Sequence, residues 1–150
     1  MMTKFFEYDE ALNIVAIYDS KKQNTIELPI AYAKYSNILD AVKAYKITLI
    51  KEKFDKAYRN YISKYPEVEV ASFKDKATEA AKVIKDPDTT LEDTPYLSAL
   101  TDYDKDKRNA LAKIIDKKIK EVATLEKYAS EKRDEIKACN TLEELERVVI

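Results

Sequence analysis

The chain has 150 residues, 27 basic and 28 acidic side chains, a formal net charge of −1, and neither histidine nor glycine. This length is enough to bury a core, and the balanced charge argues against a protein that wraps duplex DNA. Without histidine there is no Ser-His-Asp or Cys-His nucleophile system and no His-ligated metal, and without glycine the common phosphate-binding loops are excluded. We therefore expect none of the common enzyme classes, an enzyme that uses only paired carboxylates being the class left open, and no segment is long and apolar enough for a membrane span.

The N-terminal third differs from the rest of the chain because it is rich in β-branched and aromatic residues. Three short runs of this kind, separated by turn-rich segments, cover residues 5–8, 14–18 and 25–28. They predict a small antiparallel β meander that ends at Pro29. A sheet of three short strands is only marginally stable by itself, so we expect it to pack against the helices or against a partner chain.

The period of the apolar residues becomes helical after this sheet. Asn37 has the spacing of a capping residue, and a first helix is predicted from there to about residue 64, where Pro66 ends it. Residues 67–70 are predicted to be an extended link. Ser72, with Asp75 three residues later, predicts the start of a second helix, which is short and faced with alanine.

Residues 85–94 form a polar loop in the sequence, with Pro87 and four acidic residues. Thr94 and Pro95 predict the start of a short helix, because Thr is a good N-cap and Pro is favoured at the first helical position. Thr141, with Glu144 three residues later, predicts the cap of a last helix.

Between these two short helices, residues 104–139 contain no proline and are predicted to form one helix about 54 Å long. Its apolar residues recur every three or four positions and form one stripe: Leu111, Ile114, Ile115, Ile119, Val122, Leu125, Ala129, Ile136 and Cys139. Asp104 with Arg108, and Asp116 with Lys120, are predicted as exposed i, i+4 pairs. Cys139, the only cysteine, is expected to be a buried structural thiol.

The long stripe has two interpretations that the sequence leaves open. Packing against the chain's own shorter helices is favoured, because a coiled-coil assignment places Lys118 and Lys132 in the seam. Self-association into a homo-oligomer is the alternative. The predicted fold class is α+β and mostly α, with a β-rich head over residues 1–33 and a helical body over residues 34–150 built on the long helix.

Each acidic or aromatic cluster in the sequence has two interpretations, as a binding site or as ordinary surface and packing. Alternating acids at 102–106 resemble a calcium loop, but lysine occupies the positions that require glycine and glutamate. The acidic residues of the polar loop are better explained as a solvated loop than as a metal site. Interleaved tyrosine and lysine could stack on single-stranded nucleic acid, but their helical spacing favours a core or a protein interface. We expect no nucleic-acid partner.

The order of several motifs in residues 65–145 resembles a domain of tail and tail-fibre-associated proteins of bacteriophages and prophages. In that family an aromatic and Glu-Ala helix precedes a Thr-Pro-x-Leu helix start. The motifs in this chain are residues 71–80 (Ala-Ser-Phe-Lys-Asp-Lys-Ala-Thr-Glu-Ala), Thr94-Pro95-Tyr96-Leu97, the long helix with Ala112, Ile115, Arg133 and Ile136, and the closing Thr141-Leu142-Glu143-Glu144-Leu145.

The resemblance implies a protein without catalysis or cofactor that acts by protein–protein contact, as a tail-fibre component or as a helper in tail-fibre assembly. Its expected location is the bacterial cytoplasm during assembly, and the virion tail for a component. The alternative is a small host-directed or regulatory binding protein of a mobile element. The candidate partner-binding residues are Phe73, Glu79, Asp86, Asp88, Glu92, Asp93 and Arg133.

Overall fold

The computed structural model describes residues 2–150 and divides into two compact units. The first unit contains the chain up to Asp55 together with Tyr128–Ile150, and the second contains Lys56–Lys127. This division differs from the predicted boundary near residue 34, because the N-terminal sheet shares its unit with the start of the first helix and with the C-terminal residues.

The three predicted strands are present as an antiparallel sheet. They are β1 (Thr3–Tyr8), β2 (Ile14–Tyr18) and β3 (Thr25–Pro29). The strand order is β2-β1-β3, so β3 pairs with β1 and not with β2 as it would in a sequential meander. Phe6 lies opposite both Ile17 and Ile26. Placing β1 in the centre puts the fully buried Phe6 in the middle of the apolar face.

The body of the protein is helical, as predicted. Its helices are α1 (Ile38–Ile62), α2 (Glu67–Ala71), α3 (Phe73–Lys85), α4 (Pro95–Leu100), α5 (Lys105–Ala138) and α6 (Leu142–Arg147). The predicted fold class, a small N-terminal antiparallel sheet followed by a mostly helical body with one long helix, is confirmed. None of the helices formed by residues 2–150 combines the length and apolar composition needed to cross a membrane.

The core of the first unit joins the sheet to α1 and to the C-terminal part of the chain. Its buried residues are Phe6, Leu28, Ile38, Ala41, Val42, Ile50, Ile136, Cys139, Leu145 and Val148. Two lysines of α1 hold the C-terminal segment: Lys43 donates to the Lys137 carbonyl at 3.1 Å, and Lys46 donates to the Leu145 carbonyl. Cations at helix C-termini satisfy carbonyls that have no partner within the helix.

The core of the second unit is smaller and is formed by α3, α4 and α5. Ala80, Val83, Leu97 and Ala112 are its buried residues. The predicted extended link at residues 67–70 is wrong, because these residues belong to α2. Pro66 occupies the N-cap position of α2, and the two glutamates of its first turn interact favourably with the helix dipole.

Candidate interaction site

Glu79 is a buried charge that connects α3 to the start of α4 in the second unit. It lies on α3, is only 8% exposed, and its carboxylate accepts hydrogen bonds from the backbone N–H of Tyr96 at 2.9 Å and of Leu97 at 3.2 Å. These donors are in the first turn of α4, which has no partner for them within the helix. The Thr94 side chain does not make the cap that the sequence predicts. A carboxylate from another helix therefore caps α4.

Arg108 is the second buried charge of this unit and is 0% exposed. Its guanidinium donates to the Thr90 carbonyl at 3.1 Å, to Thr94 Oγ1 at 2.9 Å and to the Pro87 carbonyl at 3.4 Å. Its Nε donates to Asn109 Oδ1 at 2.9 Å. The predicted exposed pair of Asp104 with Arg108 is wrong, because Arg108 is buried and its guanidinium donates to the loop carbonyls of Pro87 and Thr90.

The loop that Arg108 holds carries the four predicted acidic residues on its outer side. Asp86, Asp88, Glu92 and Asp93 are all exposed. Lys105 forms an ion pair with Asp88 at 2.8 Å, and this hydrogen-bonded ammonium lowers the pKa of the Asp88 carboxyl. Within residues 2–150, no group of three or more His, Cys, Asp or Glu side chains is arranged to hold a metal ion.

Two apolar side chains are exposed next to this loop, at the turn between α4 and α5. Leu100 is 54% exposed and Tyr103 is 64% exposed. Asp102 and Tyr103 both have left-handed backbone conformations, with φ of 53° and 59°. Non-glycine residues rarely adopt this region. The Tyr103 N–H donates to the Ser98 carbonyl at 2.8 Å, and Ser98 Oγ donates to the Leu91 carbonyl of the loop at 2.8 Å.

These observations define one surface, which we call the acidic corner: Asp86, Asp88, Glu92, Asp93, Leu100 and Tyr103. Its two exposed apolar side chains and four carboxylates are residue types that a protein partner can bind, and a tyrosine is a frequent anchor of such interfaces. Because buried Arg108 fixes the loop from behind, little conformational entropy remains to be lost when a partner binds.

Phe73, another candidate residue, belongs to a cluster of aromatic rings and lysines. Its ring is 5.6 Å from that of Tyr65, and Lys76 Nζ lies 5.7 Å from the Phe73 centroid and 5.8 Å from the Tyr96 centroid. Lys118 Nζ lies 4.5 Å from the Tyr65 centroid. These half-buried rings and lysines pack against one another within the second unit.

A groove of about 370 Å³ lies beside this cluster and is lined by Tyr61, Glu121, Val122, Thr124 and Leu125. Its surface is almost entirely apolar. The Tyr61 hydroxyl is buried and has no hydrogen-bond partner among the described residues. Burial, followed by the nearby Tyr65 and Glu121, raises the pKa of Tyr61 above its ordinary value.

The structure brings the four loop acids together and places the other candidates apart from them. Glu79 is buried and its carboxylate is occupied within the chain, while Phe73 packs in the aromatic cluster. Arg133 is exposed on α5, in the first unit, whereas the other six candidates belong to the second unit. Arg133 makes no side-chain hydrogen bond or ion pair within residues 2–150.

Two important residues of this site were not selected from the sequence. The spacing of Arg108 from Asp104 fits a surface ion pair, whereas its partners in the loop and at Thr94 lie 14 to 21 residues away in the chain. The sequence indicates Tyr103 only weakly, by its place among acidic residues between two predicted helices.

Comparisons with protein families, with curated proteins and with solved structures find no match.

Proposed function

We propose that this chain is a non-enzymatic bacteriophage or prophage tail-associated protein that acts through protein–protein contacts, as a tail-fibre component or as a helper in tail-fibre assembly. The observation that carries the proposal is the acidic corner, an exposed Tyr103 and Leu100 beside four exposed carboxylates on a loop fixed by buried Arg108. The tail assignment comes from the motif order in residues 65–145.

The motif order has a physical basis in the fold. The Glu of the Glu-Ala helix is Glu79, and its carboxylate binds the start of the helix that Thr94-Pro95-Tyr96-Leu97 begins. The two motifs therefore cooperate in this fold, because the carboxylate satisfies N–H groups that have no partner within the helix. Their joint presence supports a scaffold shared with the tail-associated domain.

The partner surface expected for the acidic corner is basic around an apolar pocket. A tyrosine inserted into such a pocket would be buried, and the loop carboxylates would meet lysine or arginine at its rim. Electrostatic attraction of this type mainly raises the association rate, so binding should weaken as the salt concentration increases.

The test uses the tail proteins encoded beside this gene, each purified and measured against the full chain by isothermal titration calorimetry. One variant neutralises the loop acids (D86N, D88N, E92Q, D93N) and another is Tyr103→Ala. The control neutralises four exposed acids elsewhere: E10Q, E52Q, D55N and E146Q. We expect a tail protein to bind the wild type and the control, with each corner variant at least tenfold weaker.

Absence of binding to every tail protein of the neighbourhood would contradict the proposal, as would equal binding by the corner variants and the control. Mass spectrometry of purified virions then separates the two tail roles. A fibre component remains in the particle, whereas an assembly helper is found only in the lysate.

A further inference from the structure

The central part of α5 has an apolar stripe that neither core covers. Ile119 is 42% exposed and Leu125 is 37% exposed, while Val122 between them is half-buried. Neither hydrophobic core of the described residues contains any residue of the segment 118–126. The stripe was predicted to pack on the chain's own helices, and in this segment it is only partly covered: Lys118 rests on Tyr65, and Val122 and Leu125 share an open groove with Tyr61.

The sequence of this segment is self-complementary about Val122. In two antiparallel helices related by a twofold axis at residue 122, position 122 − n faces position 122 + n of the other helix. Ile119 then faces Leu125, and Lys118 faces Glu126, which pairs apolar with apolar and cation with anion. All five positions lie within an arc of about 120° on the helix, because successive residues turn by about 100°.

The surroundings of these residues are compatible with such a pair. Glu126 is exposed and has no side-chain hydrogen bond or ion pair among the described residues. Lys118 is half-buried, and its ammonium rests on the Tyr65 ring, which restricts its position. The groove of about 370 Å³ beside Val122 and Leu125 has space for an apolar side chain of a second copy.

We propose that two copies of this chain associate by antiparallel packing of the segment 118–126 of α5, with Val122 on the twofold axis. The occupant of the groove and stripe is the same segment of the second copy. The segment makes about two and a half helical turns and buries an area at the small end of specific interfaces, so we expect a dissociation constant of about 10 µM. This association is independent of the acidic corner and of the tail assignment.

Sedimentation equilibrium of the full chain between about 1 and about 500 µM tests the proposal, because this range spans the expected dissociation constant. The wild type should reversibly form dimers. Each dimer contains two Lys118–Glu126 contacts, so K118E and E126K should each weaken association at least tenfold. The double variant K118E/E126K should restore it, and L125E should be monomeric.

The control is K117E, which makes the same charge change on an exposed face of the same helix that points away from the stripe. Circular dichroism of every variant checks that the helices remain folded. Since the Glu126 side chain makes no hydrogen bond or ion pair among the described residues, E126K keeps the test valid even where K118E loses its contact with Tyr65. A wild type that stays monomeric, a double variant that fails to recover, or K117E equal to E126K would each overturn the proposal.

Discussion

Among the acidic side chains of the second unit, Glu79 is the one whose replacement by alanine should lower the free energy of unfolding most. The change removes the acceptor of three hydrogen-bond contacts, two to the Tyr96 N–H at 2.9 and 3.2 Å and one to the Leu97 N–H at 3.2 Å. Leu97 is fully buried, so its N–H loses its acceptor inside the protein.

The magnitude follows from these contacts. A hydrogen bond to a charged group contributes about 1.5 to 3 kcal/mol, and leaving a buried donor without a partner costs about 1 to 3 kcal/mol. Since these terms overlap, we expect Glu79→Ala to lower the free energy of unfolding by about 3 kcal/mol. Glu79→Gln keeps one carbonyl oxygen as an acceptor, and its expected loss is about 1 kcal/mol.

Urea unfolding followed by circular dichroism at 222 nm measures both variants. For a chain of this length, 3 kcal/mol corresponds to a decrease of about 6 to 12 °C in Tm. Glu52→Ala is the matched control, since Glu52 is exposed in the middle of α1. If Glu79→Ala were within about 0.5 kcal/mol of this control, the assignment of Glu79 as the cap of α4 would be refuted.

Four further substitutions test other parts of the structure. Arg108→Met should lower stability by about 3 kcal/mol and increase hydrogen exchange in the loop of residues 86–94; unchanged exchange there would show that the guanidinium does not hold the loop. Tyr61→Phe should leave the free energy of unfolding unchanged or raise it by about 1 kcal/mol, because the buried hydroxyl lacks a hydrogen-bond partner. A decrease of about 1 kcal/mol would show that the hydroxyl has such a partner. Phe6→Ala should lower the free energy of unfolding, measured by thermal denaturation, by about 3 to 5 kcal/mol, and a loss below about 1 kcal/mol would place Phe6 outside the core. The lowered pKa of Asp88 means that its ion pair with Lys105 stabilises the fold above the unfolded-state pKa, and that this contribution is lost as the pH falls through the folded-state pKa. Lys105→Gln should therefore return the pKa of Asp88 towards its ordinary value in an NMR titration. Overall stability should change little, because both groups are exposed.

The local elements were predictable because their causes lie within a few residues. Asn37 caps α1 by accepting from the N–H of Leu39 at 2.9 Å and of Asp40 at 3.2 Å. Thr141 caps α6 by accepting from the Glu144 N–H at 3.1 Å. The exposed pair of Asp116 with Lys120 is present at 2.9 Å. Period, caps and i, i+4 pairs are properties of a short stretch of chain, so a single sequence contains them.

Other features depended on residues distant in the chain. The strand order β2-β1-β3 follows from which strand can bury Phe6, and alternation within each strand does not reveal it. The 67–71 helix was missed because its β-branched residues favour a strand, whereas Pro66 and the acidic first turn favour a helix start.

The sequence by itself determined the kind and approximate limits of most elements, the α+β class and the predominance of helix. Only the tertiary structure decided which polar groups are inside and which apolar groups are outside. Arg108 and Glu79 are buried where they hydrogen-bond to loop carbonyls and to a helix start that are distant in the chain. Ile119 and Leu125 are exposed because the two cores leave the centre of α5 uncovered, although their spacing resembles that of buried residues.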